Sequence, residues 1–153
     1  MNDTCTPVQL ESLLQHQVEL LSELIQFGGE QQDAIEAGRV SELLSVLARK
    51  QPFLEQLGHV RQQLQDWREE IESGHFWSDT QCQIRCQHLR DRAAVAFKTL
   101  IESEQACETA LTASRDQIQI RLQHVDSGRN AANAYQSQAT APPTSRVDFS
   151  SMG

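Results

Sequence analysis

Apolar residues recur at alternating three- and four-residue spacing from Leu10 to Val125, and very little interrupts them. That periodicity puts one apolar stripe on a helix and is incompatible with the two-residue period of a strand. Glycine and proline, which would break such a pattern, number only seven and four in 153 residues. The chain is therefore expected to be all-α, with helix over about three quarters of its length.

The punctuation divides the pattern into three helices. The first is expected over residues 7–37, with Leu10, Leu13, Leu14, Leu20, Leu21, Leu24, Ile25 and Ile35 on its apolar side. Pro7 suits a first turn, where its missing N–H has no partner to lose. Gly28-Gly29 predicts a kink or a close helix approach, and Gly38 a stop in the left-handed conformation. The second helix, 40–73, carries Val40, Leu43, Leu44 and Leu47, then Phe53, Leu57, Val60, Leu64, Trp67 and Ile71 at heptad spacing. Pro52 predicts a bend where the apolar face shifts. Ser78 and Gln81 have the spacing of a capping box for a third helix over 78–127, about 70 Å long. The fold class that follows is an elongated, coiled-coil-like antiparallel three-helix bundle over residues 1–136, with a disordered C-terminal tail over 137–153. The tail is small, polar and proline-containing, yet it is bracketed by the only tyrosine, Tyr135, and a phenylalanine, Phe149.

Charge narrows the partners. Residues 1–38 hold seven acids and no lysine or arginine, while the rest of the chain holds fourteen acids against thirteen bases. An acidic segment of this kind repels phosphates and anionic lipid, so nucleic acid and membrane surfaces are excluded as partners. No secretion signal and no run of ~20 apolar residues predict a cytoplasmic protein with no membrane insertion. Cys5, Cys82, Cys86 and Cys107 are then expected to be reduced.

Catalytic chemistry has nowhere to sit. Cys82 and Cys86 share a helix face, but His88 lies off it and no second pair supplies the three or four ligands zinc needs, so no metal is expected. His59 lacks the lysine and glycine that follow a phosphotransfer histidine. There is no glycine-rich loop and no nucleophile elbow. The chain reads as a non-enzyme without a cofactor. What it offers is helix surface. The apolar arc of the first helix is wide enough to pack two neighbours, or one neighbour and a partner's helix. Leu14, Leu21 and Ile25 on that arc are candidate partner contacts, as are Tyr135 and the segment Arg146, Val147, Asp148 and Phe149.

The order Ala34-Ile35, Gly38-Arg39, Leu43, Val46-Leu47, Lys50, Leu54 and Leu57 resembles the flagellar export chaperones of the FlgN type and, more loosely, those of the FliT type. The C-terminal NAANAYQSQ and SRVDF are similar to that family's ending. Arg39 stands where the family usually has Asp, and Pro52 lies inside the hairpin. The resemblance implies a cytoplasmic chaperone that binds the C-terminal helical region of hook–filament junction proteins and delivers these secreted hook-associated proteins to the export apparatus. The alternative is a structural coiled-coil protein that forms a homodimer.

Overall fold

The computed structural model describes residues 5–140, with side chains through 138. These residues form four helices, α1 (Pro7–Glu36), α2 (Val40–Asp66), α3 (Arg68–Glu72) and α4 (Thr80–Thr140), and no strand. The chain divides into two compact units, Met1–Thr112 and Ala113–Gly153. Four helices replace the expected three because the second breaks at Trp67. The Trp67 N–H still donates to Gln63 O at 3.1 Å, and Ile71 N–H to Trp67 O at 3.0 Å.

Local chemistry sets the ends. Thr6 caps α1 in a reciprocal capping box: its hydroxyl accepts from Gln9 N–H at 3.3 Å, and Gln9 Oε1 accepts from Thr6 N–H at 3.0 Å. Pro7 occupies the first turn as expected. Gly38 has φ +69°. Arg39 N–H donates to Ala34 O at 2.9 Å and Gly38 N–H to Ile35 O at 3.1 Å, which together close the C-terminal turn as a Schellman motif. α2 starts at Arg39 without a side-chain cap. α4 is capped by Asp79, whose Oδ1 accepts from Gln81 N–H at 2.9 Å, and not by Ser78.

Within the first unit, α1 is packed by two helices. Phe27 meets Phe53 edge-on at 5.2 Å, and Glu30 pairs with Arg49 at 3.1 Å. Glu11 pairs with Arg85 at 2.7 Å, and Gly28 O lies 3.6 Å from Cys107 Sγ. The residue order in these contacts makes α2 run opposite to α1 and α4 run alongside it. Leu10, Leu14, Leu21, Leu24, Val46 and Cys86 are the most deeply buried large side chains. Gly28 is where α4 comes closest. A Cβ there would collide with Ser103 Oγ, whereas one on the neighbouring Gly29 would meet nothing within 4 Å. Gly28 is thus a close packing point inside an uninterrupted helix.

The inner seam of α2 corrects the sequence reading. The face turned to the core carries Val46, Lys50, Phe53, Leu57, Val60 and Leu64, an unshifted 4-3-4-3-4 repeat that passes through Pro52. Val40, Leu44 and Leu47 lie on another face and are exposed. The apparent shift of the apolar face arises because the core position between Val46 and Phe53 is filled by a lysine. Lys50 is only 5% exposed. Its ammonium donates to Gln31 Oε1 at 2.9 Å on α1 and ion-pairs with Glu104 on α4. A buried ammonium is tolerated only when paired and hydrogen-bonded, so this group ties three helices to one register. Replacing Glu104 by Ala should lower stability by about 1–3 kcal/mol in urea melts. Adding Lys50→Met in that background should recover most of the loss, because an apolar side chain of similar volume needs no partner.

Candidate partner-binding surface

The residues singled out from sequence divide sharply. Leu14 and Leu21 are 2% and 0% exposed and belong to the core of the first unit. In this fold they are packing residues, because α2 and α4 cover both flanks of the α1 arc. Ile25 is half-buried and lines a surface cleft of about 520 Å³ between α1 and α4, with Val18, Val95 and Ala96 as apolar walls and His88 and Asp91 on the rim. Tyr135 is exposed on α4. Arg146, Val147, Asp148 and Phe149 lie outside the described residues.

Two apolar stripes lie at the surface. On α2, Val40, Leu44, Leu47 and Leu54 are all exposed and fall within one face at 100° per residue. On α4, Ile118, Leu122 and Val125 are 54%, 59% and 57% exposed. They share a face with Ala132, and every described side chain from Arg115 to Gln138 is exposed. α4 also continues to Thr140, past Gly128, where the apolar pattern ends. Length carried the missing signal: α4 has 61 residues, while α1 and α2 have 30 and 27. The apolar spacing alone could not distinguish a buried stripe from an exposed one.

The four cysteines are buried and free. Cys82 Sγ donates weakly to Pro7 O at 3.6 Å and to Glu11 Oε2 at 3.5 Å. Among the described residues no group of three or more His, Cys, Asp or Glu side chains is placed to hold a metal ion. Burial pushes the Cys5 thiol up to about 11, with the Glu70 carboxylate adding to it. Burial, then neighbouring Cys82, pushes Cys86 up to about 12. Cys107 is raised by burial and by Glu104. Thiolate, the nucleophilic form, is thus suppressed. By contrast, the Arg85 hydrogen bond holds Glu11 below the usual carboxylate range.

Two outcomes follow for solution work. Leu14→Ala and Leu21→Ala should each cost about 2–5 kcal/mol of stability, whereas Ile25→Ser should cost clearly less, as read by urea denaturation. The raised thiols also set an alkaline limit. Above the ordinary thiol value of 9.0 the unfolded chain loses its thiol protons while the folded chain keeps them. Folded stability is therefore full below about pH 9 and falls as pH rises toward 11. Melting temperature followed from pH 7 to 11 should decline over that window, less steeply when Cys86 is changed to Ala.

No described helix is long and apolar enough to cross a membrane. The chain matches the family model described as FlgN protein over residues 1–142. None of the curated proteins and none of the solved structures compared with it matches.

Proposed function

The chain belongs to the FlgN family of flagellar export chaperones, and from that premise we propose that it holds the helical terminal region of hook–filament junction proteins before their secretion. The observation that carries this reading is the exposed stripe of Ile118, Leu122 and Val125 on α4. Three large aliphatic side chains at four- and three-residue spacing are the pattern by which one amphipathic helix receives another. Such a surface works without a catalytic group. It removes the cargo's own apolar face from water and so keeps that cargo from self-associating early. Release needs only a competitor for the same face.

Tyr135 stands exposed further along α4, and with Arg146 to Phe149 it forms the second part of the proposal. An aromatic side chain supplies large contact area with few rotatable bonds, which suits a contact to cargo or to the export apparatus. Residues 1–136 act as the helical scaffold in this reading and 137–153 as an appended segment. The place of action is the cytoplasm.

Ile118→Asp combined with Leu122→Asp should leave the melting temperature unchanged, since both side chains are already in water. It should weaken capture of a hook-associated protein by about thirtyfold, the loss of roughly one interface anchor of 2 kcal/mol. Tyr135→Ala should weaken capture of cargo or export apparatus without moving the melting point. Undiminished capture by the double variant would refute the proposal. A chain that pairs only with itself, and loses that pairing in the double variant, would assign the stripe to a homodimer.

A further inference from the structure

A second cleft lies wholly within the first unit, with a volume of about 430 Å³. Its floor is apolar: Leu14 from α1, Leu64 from α2, Ile71 from α3, and Ala93, Ala94 and Phe97 from α4. That size and lining fall in the range of sites that take a ligand side chain or small molecule. Set into the floor is Gln17, only 6% exposed. Its side-chain amide makes no hydrogen bond to any described residue, yet none of its polar atoms is sealed from solvent. The amide thus lines the cleft without a partner among the described residues, with its polar atoms open to solvent. A buried amide in this condition lacks a partner that a ligand can supply.

Arg90 adds charge at the same place. It lines the cleft half-buried and forms no ion pair among the described residues. Arg68 also lines the cleft, and Arg61 stands against one of its lining residues. Arg68 is held by Glu72 at 3.1 Å, and Arg61 lies over the Phe97 ring at 5.2 Å. In a chain of net charge −8, Arg68 and Arg90 line this cleft with Glu72 as its only acid, and Arg61 on the Phe97 ring adds a third positive charge beside it. These cations come from α2, α3 and α4, so they suit an occupant carrying several carboxylates rather than a single one.

We propose that this cleft docks an acidic amphipathic segment of a protein partner, which seats one apolar side chain on the Leu14–Leu64–Phe97 floor and a carboxylate on Arg90, with Gln17 as the second donor. Arginine is the residue suited to this task, because its planar fork meets both oxygens of a carboxylate at once. The site is separate from the α4 stripe, so it stands or falls independently of cargo binding there.

The test uses the full chain and a fluorescein-labelled helical peptide of about 18 residues, roughly five turns, with Leu and Phe on one face and Glu on the other. A twin carries Lys in place of Glu. Anisotropy should show binding of the Glu peptide and little of the Lys peptide. Arg90→Gln should weaken the Glu peptide about tenfold, the loss of one charge-assisted bond. Gln17→Leu should also weaken it, and the Gln17 side-chain amide signals should shift on titration in a nitrogen-15 spectrum. Arg92→Gln removes the same charge from α4 outside this cleft and should change nothing. Equal binding of the two peptides, or equal losses from Arg90→Gln and Arg92→Gln, would overturn the proposal. So would dodecanoate moving the Gln17 signals where the peptide does not. The Ile118→Asp, Leu122→Asp variant should bind the Glu peptide normally, which keeps failure here distinct from failure of the chaperone reading.

Discussion

Lys50 is the constraint on which the register of the first unit depends. It occupies a core position of the α2 seam, between Val46 and Phe53, where an apolar residue would be stable in several registers. An ammonium is stable there in only one, with Gln31 of α1 and Glu104 of α4 both in reach. Sliding either helix by a turn would strand the charge, at a cost several times that of a lost apolar contact. Leucine-rich surfaces supply most of the burial energy, and the lysine restricts how they can meet. Polar residues at single seam positions are known to specify register in this way, at some loss of stability.

The same register decides which apolar faces are left at the surface. Once α2 turns Val46, Lys50 and Leu57 inward, Val40, Leu44, Leu47 and Leu54 must face water. Once α4 comes close to α1 at Gly28, its residues Arg90, Ala93 and Phe97 frame the cleft in which Gln17 is left without a partner. Neither surface uses a reactive group. The thiols are buried, and burial raises the pKa values of Cys5, Cys86 and Cys107. What the fold offers a partner is helix surface, which is consistent with membership of a chaperone family.

How far the sequence could be read depended on what each signal measures. Three- and four-residue spacing reports that a helix has an apolar face, and it pointed to helix in the regions of α1, α2 and α4. It does not report what that face meets. Leu14 and Leu21 on α1 and Ile118 and Leu122 on α4 have the same local pattern, yet the first pair is buried and the second exposed. Turn chemistry was similarly local: Gly38 announced its positive φ, whereas Trp67 gave no sign of breaking a helix, since its own carbonyl and N–H remain bonded in helical fashion.

The sequence by itself determined the all-helical class, the stop at Gly38 and the family. Each of these is set by short-range chemistry or by residue order, which a linear chain displays in full. Only the tertiary structure decided that Lys50 belongs to the core and that Gly28 is a packing point while Gly29 is not. It also decided that Gln17 and Arg90 share a cleft 73 positions apart in the chain. Those outcomes depend on which faces of separate helices come together. Burial and pairing are properties of the assembled faces, and helical spacing records only one face at a time.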